Sequence, residues 1–247
     1  VMGGGVGISV HGSHRVVTER CQFAMPETGI GFFPDVGGSW FLPRCPDGLG
    51  IYLGLTGARL GAADLRHCDL ATHHLPSHRL ADVVPALSAA VWSGDGHTVV
   101  SQTLYRLAQS AGLPPLAARQ AVIDRCFGAD SIEEILARLA AERSDWAQET
   151  ASTLGRKSPT SLKVTLGQLR RGAGLADFAA AMAMEYRLSQ RFIAGHDFYE
   201  GVRAVIIDKD QAPRWQPATL AEVDDATVDA YFAPLPDGEL DFSDASR

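Results

Sequence analysis

Residues 25–38, Met-Pro-Glu-Thr-Gly-Ile-Gly-Phe-Phe-Pro-Asp-Val-Gly-Gly, constrain the fold of this chain more than any other segment. Proline and glycine interrupt the segment, so it is predicted to be a loop and not a continuous helix or strand. The loop still carries large apolar side chains, and two carboxylates, Glu27 and Asp35, stand among them. Because a carboxylate in apolar surroundings is costly unless it is paired or functional, the segment is a candidate active site.

Each carboxylate has a structural and a functional interpretation. Glu27 either caps the loop or pairs with an arginine, or it acts as a general base, acid or nucleophile whose pKa is raised by apolar surroundings. Asp35 either belongs to an ordinary turn, since aspartate is common next to proline and glycine, or it shares the site with Glu27. Two carboxylates at one small cavity can hold different protonation states, and therefore different roles.

An upstream glycine run, Gly3-Gly4-Gly5, is the second notable feature. It lacks the spacing of a dinucleotide site or a phosphate loop, so a hinge or packing role is the simpler interpretation. The alternative is a buried helix over residues 3–11 whose free backbone N–H groups face a ligand. Backbone donors together with carboxylates in an apolar loop favour an acyl-transfer or enolate site. The chain has no Gly-x-Ser-x-Gly nucleophile elbow, which argues against that type of serine hydrolase.

The formal charge of -7 is concentrated near the C-terminus, where residues 219–247 hold eight acids and one base. The remaining residues balance, so no basic surface is predicted and nucleic acid is excluded as a partner. No run of eighteen apolar residues occurs, so neither a transmembrane helix nor a membrane partner is expected. Residues 236–247 are predicted to be a solvated acidic tail.

The cysteines and histidines do not show the spacing of a redox motif or a metal site. Cys21, Cys45, Cys68 and Cys126 lack C-x-x-C spacing and are predicted to be reduced structural thiols of a cytoplasmic protein. The histidines show no ligand spacing, so no metal site is expected. Arginine far outnumbers lysine, alanine is abundant and asparagine is absent, which indicates a bacterial, GC-rich source.

The predicted elements divide the chain into three parts. Short strands over 15–19, 22–25 and 70–75 alternate with helices over 48–55, 62–68 and 77–87, the last one capped by Ser77, and predict an α/β layered domain over 1–92. Residues 93–235 are predicted to be a largely helical region that covers the site. Its helices include one capped by Ser131, one that begins at Ser158-Pro159 and stops at Gly172, and one over 178–193. The acidic tail over 236–247 is the third part.

Several segments resemble the enoyl-CoA hydratase/isomerase (crotonase) superfamily, namely Gly3–Gly7, Phe23–Gly31, Phe33–Gly38 and Leu55–Leu60. Within the superfamily, segments of the later half are most similar to 3-hydroxyisobutyryl-CoA hydrolases, namely Ser158–Lys163, Met184–Ser189, Gly195–Phe198 and Glu200–Asp210. The resemblance extends from residue 1 to about residue 235.

The resemblance implies a fold, a reaction and a site. The fold would be α/β, a crotonase-type β-β-α spiral core lacking its N-terminal part here, with a helical C-terminal region. The reaction would be hydrolysis of a 3-hydroxyacyl-CoA thioester, with 3-hydroxyisobutyryl-CoA in valine breakdown as the expected substrate. Gly4, flanked by Gly3 and Gly5 in the substrate site, would donate its N–H to the developing oxyanion. Glu27 would be the main catalytic group, and Asp35 would contact the 3-hydroxyl. No cofactor is implied, because coenzyme A is part of the substrate.

Two departures from the family pattern leave alternatives open. A two-carboxylate hydratase carries its other glutamate where this chain has Gly7, so hydration is disfavoured, but an enoyl-CoA hydratase or isomerase remains the first alternative. In the family, the second oxyanion donor and part of the CoA surface come from sequence upstream of the glycine run. An upstream polypeptide is therefore expected to complete the fold, and a non-catalytic acyl-CoA-binding subunit is the second alternative. A homo-oligomer is a further expectation.

Overall fold

A computed structural model describes residues 1–236 and 238–242 of the chain. Its helices are, in chain order, α1 (Gly4–Val10), α2 (Gly38–Phe41), α3 (Leu49–Thr56), α4 (Ala62–His67), α5 (Val83–Ser88), α6 (Gly96–Leu107), α7 (Gln120–Phe127), α8 (Ile132–Glu142), α9 (Asp145–Leu154), α10 (Pro159–Ala173), α11 (Phe178–Ala194), α12 (Asp197–Val202) and α13 (Asp225–Phe232). Strands β1 (Val16–Val17) and β2 (His73–His74) form a parallel pair. Tighter 3-10 turns span Glu27–Ile30, Leu42–Arg44, Ser77–Asp82, Pro115–Arg119 and Leu220–Glu222, and a π-helix spans Arg203–Ile207.

The chain forms two compact units. The first unit contains Val1–Ala24 and Arg59–Gln120, and the second contains Met25–Ala58 and the chain from Ala121 onward. The domain boundaries predicted after residues 92 and 235 stay predictions. Of the predicted acidic tail, Asp237 and residues 243–247 lie outside the described residues.

The first unit is built around the β1–β2 pair. The β1–β2 pair is shorter than the strands predicted over 15–19 and 70–75. Beside it, the N–H groups of Thr72 and Leu75 donate to the carbonyls of Arg15 and Val17. The strand predicted over 22–25 is a single antiparallel bridge between Phe23 and Leu60.

Ser77 does not cap the helix predicted over 77–87. That segment is the 3-10 turn Ser77–Asp82 followed by α5, and Pro76 precedes the turn. The N–H of Ser77 donates to the carboxylate of Glu19 at 2.9 Å, so the loop is fixed from outside the helix and not by a serine cap.

Helix α10 occupies the centre of the second unit and begins as predicted. The Ser158 hydroxyl accepts from the Ser161 N–H at 3.0 Å, and Pro159 stands in the first turn. Ser131 likewise caps α8 by accepting from the Glu134 N–H at 3.1 Å. Helix α10 ends at Ala173, one residue beyond the predicted stop at Gly172. Gly172 has a packing role, because a Cβ there would lie 2.2 Å from the Ser39 carbonyl oxygen.

An apolar cluster of the second unit fixes the segment between the two carboxylates. Phe32 and Phe33 lie between Glu27 and Asp35 in sequence, and their rings pack against Phe192 of α11 with centroid separations of 5.5 and 5.4 Å. Aromatic contacts at this spacing and burial of this extent hold the backbone on both sides of the cluster. Among the described residues, no helix combines the length and the apolar character needed to cross a membrane.

Candidate active site

Glu27 is a buried acid at a cavity. It is the first residue of the 3-10 turn Glu27–Ile30, and it is 6% exposed. It lines a cavity of about 410 Å³ in the second unit, and within the described residues its Oε2 atom has no hydrogen-bond partner. Burial, with a further contribution from the charge of Asp35, raises the pKa of Glu27 to about 8, while Lys157 acts in the opposite direction. A carboxyl in this state can take part in proton transfer or nucleophilic attack near neutral pH.

Close backbone packing fixes the turn that carries Glu27. Gly31 ends the turn with a φ of 68°, and a Cβ there would lie 2.2 Å from the carbonyl oxygen of Asp197. A Cβ on Gly201 of α12 would lie 2.3 Å from the carbonyl of Ile30. Gly31 in the turn and Gly201 in α12 thus each allow a close approach between the backbones of the two elements, since a side chain at either position would push the turn away from α12.

Asp35 stands on a loop that a third carboxylate holds. The loop uses left-handed backbone at Val36 (φ 51°) and Gly37 (φ 89°). Glu185 of α11, itself 7% exposed, accepts from the N–H groups of Gly37 at 3.0 Å and Ser39 at 2.9 Å. Burial raises the pKa of Asp35, and burial together with the charge of Asp35 raises the pKa of Glu185 to about 7. The two sequence-predicted carboxylates thus lie in one electrostatically coupled group.

Gln168 of α10 holds the same loop from the other side. Its Nε2 donates to the carbonyl of Pro34 at 2.7 Å and to the Ser39 hydroxyl at 2.8 Å. The position of Asp35 therefore depends on polar contacts from both α10 and α11 and not on the turn residues alone.

Lys157 is a second charged group at the cavity. It is half-buried, and its Nζ lies 2.9 Å from the position a Cβ would take on Gly29, inside the turn that carries Glu27. Burial and the neighbouring charge of Arg156 lower the pKa of Lys157, whereas Glu27 opposes the change.

Three side chains at the site, Lys157, Gln168 and Glu185, were not among those predicted from the sequence. A usable signal existed for Glu185, because it falls on the apolar stripe of α11 between Met184 and Leu188, where an acid needs a partner or a role. Lys157 gave a weaker signal, as one of only three lysines in the chain and directly before the Ser158 cap.

The glycine run begins a helix, which was the alternative to a hinge or packing role, but this helix is not buried as expected: within α1, burial is limited to Val6 and Val10. Helix α1 starts at Gly4, and Gly3 precedes it with a φ of 55°, which favours glycine. The run belongs to the first unit, whereas Glu27 and Asp35 belong to the second. The substrate-binding role of Gly3, Gly4 and Gly5, and the oxyanion role of the Gly4 N–H, stay predictions.

Within the described residues, Cys21, Cys45, Cys68 and Cys126 form no disulfide bond. The part of the chain that the structure describes contains no group of three or more histidine, cysteine, aspartate or glutamate side chains arranged to hold a metal ion.

Curated relatives are close to half identical to this chain over the aligned region. The chain is 46% identical to the 3-hydroxyisobutyryl-CoA hydrolase, mitochondrial, of Danio rerio over 97% of its own length. It is 44% identical to the protein of the same name from Homo sapiens over 98% of its length. In both cases it spans 63% of the relative's length.

These relatives correct the predicted source and compartment. The vertebrate proteins and a 42% identical protein of Dictyostelium discoideum are named as mitochondrial, so the prediction of a bacterial, cytoplasmic protein is wrong. The inference had no firm physical basis: unpaired cysteines occur in any reducing compartment, and an arginine and alanine bias reports genome composition and not location.

Solved structures of similar fold and a family profile complete the comparison. The chain superposes with a TM-score of 0.88 and 42% identity on a carnitinyl-CoA dehydratase from Mycobacterium thermoresistibile, and with 0.86 and 38% on an enoyl-CoA hydratase from Rhodobacter sphaeroides. Each match covers 98% of this chain and 68% of the other. The predicted crotonase-type α/β fold is confirmed. The profile of the enoyl-CoA hydratase/isomerase family matches residues 1–232. The chain therefore belongs to the enoyl-CoA hydratase/isomerase family.

Proposed function

We propose that the complete protein hydrolyses a 3-hydroxyacyl-CoA thioester, with 3-hydroxyisobutyryl-CoA from valine breakdown as its substrate. The observation that carries the proposal is the buried Glu27 carboxyl, which has an unbonded oxygen at a cavity and is electrostatically coupled to Asp35. The names of the curated relatives support the same reaction.

In the proposed mechanism, ionised Glu27 attacks the thioester carbonyl carbon or activates a water molecule for that attack. In the nucleophilic route, a bond forms between a Glu27 oxygen and the acyl carbon, the carbon–sulfur bond breaks, and the CoA thiolate leaves and takes up a proton. Water then cleaves the mixed anhydride, which releases the 3-hydroxy acid and restores the Glu27 carboxylate. The Gly4 N–H would hold the oxyanion, and Asp35 would bind the 3-hydroxyl.

This chemistry consumes only water and the thioester, so we propose that the protein works without a cofactor. Acyl-CoA is the proposed substrate partner. An upstream polypeptide that completes the fold and a homo-oligomeric assembly stay predictions.

Hydration of an enoyl-CoA is the second candidate function, because the two solved structures compared above are named as a carnitinyl-CoA dehydratase and an enoyl-CoA hydratase. Gly7 stands against it, since it occupies the position where the resemblance implies the other glutamate of a two-carboxylate hydratase. Loss of the enoyl absorbance of crotonyl-CoA without release of free thiol would favour the hydratase.

The main test measures CoA release from 3-hydroxyisobutyryl-CoA by the complete protein and by Glu27→Gln. We expect the variant to lose roughly 10²-fold or more in rate, since it lacks both a nucleophile and a base. Glu149→Gln, which changes an exposed acid on α9, is the matched control and should keep the wild-type rate. A Glu27→Gln protein with near-wild-type turnover would overturn the assignment. Binding of CoA without turnover, even with any upstream polypeptide added, would favour a non-catalytic binding subunit.

A second test addresses Asp35. The Asp35→Asn variant and the wild type are each compared on 3-hydroxyisobutyryl-CoA and on isobutyryl-CoA, which lacks the hydroxyl. We expect Asp35→Asn to reduce the ratio of kcat/KM for 3-hydroxyisobutyryl-CoA to that for isobutyryl-CoA, because the half-buried acceptor of the hydroxyl proton is weakened. An unchanged ratio of kcat/KM between the two substrates would remove Asp35 from the specificity role.

A further inference from the structure

The ammonium of Lys157 is a half-buried cation without a hydrogen-bond or ion-pair partner among the described residues. It lines the same cavity as Glu27, and it makes no hydrogen bond and no ion pair within 4.0 Å among the described residues. An uncompensated ammonium at a half-buried position costs free energy, so packing alone does not explain why a lysine stands there.

Backbone contacts bring Lys157 to the turn of Glu27 and keep it there. The Ser158 N–H donates to the Thr28 carbonyl at 3.4 Å, directly beside Glu27. The indole N–H of Trp215 donates to the Arg156 carbonyl at 3.0 Å. The residues on both sides of Lys157 are thus held, and the closeness of its Nζ to Gly29 follows from the path of the chain.

Few other charges face Glu27 from the surrounding elements. Asp35 contributes negative charge from the following loop, and Arg156 contributes an exposed positive charge at the rim of the cavity. Asp197 of α12 packs against the turn that carries Glu27, but its carboxylate already accepts a hydrogen bond from the Ser158 hydroxyl at 2.6 Å. Lys157 is the cation best placed to act on the Glu27 carboxyl.

We propose that Lys157 is a positioning residue that shifts the proton equilibrium of Glu27 toward the ionised, reactive form by placing an unpaired ammonium at the same cavity. Glu27 experiences burial and the charge of Asp35, and both favour its protonated form; the ammonium opposes them. That the ionisation of Glu27 controls turnover rests on the proposed hydrolase function. That Lys157 lowers the pKa of Glu27 does not depend on that function.

The test titrates Glu27 directly. The complete protein is labelled with ¹³C at the glutamate carboxyl carbon, and the Glu27 resonance is identified by its absence from Glu27→Gln. In the wild type, the midpoint is expected at about pH 8. In Lys157→Met, which keeps an unbranched side chain one atom shorter and removes the charge, we expect the midpoint to rise by about one unit, which leaves roughly tenfold less ionised Glu27 at pH 7.

Two further variants separate charge from structure. Lys157→Arg keeps the charge and should restore a midpoint close to that of the wild type. Lys163→Met removes a lysine that already pairs with Glu133 at 2.7 Å and should leave the midpoint unchanged. The acid limb of the pH profile for CoA release should move with the Glu27 midpoint in each variant.

The outcomes distinguish the two proposals. An unmoved Glu27 midpoint in Lys157→Met overturns the role of Lys157, whatever the activity. A raised Glu27 midpoint in Lys157→Met, together with a wild-type protein that releases no CoA from 3-hydroxyisobutyryl-CoA, supports the role of Lys157 and overturns the hydrolase proposal.

Discussion

Replacing Glu27 with glutamine should remove a strong pH dependence from the stability of the protein. The pKa of Glu27 is raised from 4.5 to about 8, chiefly by burial. Between these two pH values the folded protein keeps a proton that the unfolded chain has lost. The free energy of unfolding therefore falls as the pH rises through this interval, and the loss is complete above about pH 8.

The structure sets the size of this effect. A group that is protonated in the folded state and ionised in the unfolded state changes the free energy of unfolding by about 1.4 kcal/mol per pH unit. From pH 5.5 to pH 7.5, Glu27 alone would then remove about 3 kcal/mol at most. Water that enters the cavity lessens the cost of ionising Glu27 in the folded state. The loss of unfolding free energy between pH 5.5 and pH 7.5 is therefore expected to be about 1–3 kcal/mol larger in the wild type than in the variant.

The assay is urea unfolding of the wild type and of Glu27→Gln at pH values from 5.5 to 7.5, with Glu149→Gln as the surface control. Glu185, whose pKa is raised to about 7, titrates in the same pH interval in all three proteins, so the test compares the slopes of the three curves and not the absolute slope of one. The free energy of unfolding of Glu27→Gln should fall less with pH than that of the wild type, and the control should follow the wild type. Parallel curves for wild type and Glu27→Gln would refute a protonated, buried Glu27.

Two other substitutions test the parts of the structure that hold the carboxylates. Glu185→Gln should destabilise the protein by about 1–3 kcal/mol and speed hydrogen exchange in the loop after Asp35. The reason is that a glutamine amide cannot accept from both N–H groups that the Glu185 carboxylate binds. Unchanged exchange rates in this loop would contradict the role of Glu185 as its anchor. Gly201→Ala should lower the urea midpoint by an amount equivalent to about 1–3 kcal/mol, since its Cβ would lie 2.3 Å from the carbonyl of Ile30. Gly155→Ala, whose Cβ would meet nothing closer than 3.5 Å, is its control and should shift the midpoint far less.

Local rules predicted the elements whose stability is local. Ser131 and Ser158 cap their helices because a serine followed by an apolar stripe satisfies the first free N–H groups wherever the helix packs. The candidate carboxylates Glu27 and Asp35 were also readable, since acids between glycine, proline and phenylalanine are unusual.

The remaining features depend on contacts between distant parts of the chain. Gly172 looked like a helix stop, and only its close approach to Ser39 shows that it is a packing residue inside α10. Ser77 looked like a cap, but Glu19, 58 residues earlier, takes its N–H. Lys157 comes to the Glu27 cavity through the path of the chain between α9 and α10, which no local pattern encodes.

The three coupled carboxyls lead to a last prediction about Asp35. The charge of Asp35 raises the pKa of both Glu27 and Glu185, so the three groups resist being ionised together. Asp35→Asn removes that charge, so the titration midpoint of Glu27 should fall below about pH 8. The same variant is expected to discriminate less between hydroxylated and non-hydroxylated acyl groups. The acid limb of the pH profile for CoA release should then move to lower pH, opposite to its direction in Lys157→Met. An acid limb that moves to higher pH in Asp35→Asn would mean that the loop has lost its position, because loss of a neighbouring negative charge can only favour the ionised form of Glu27.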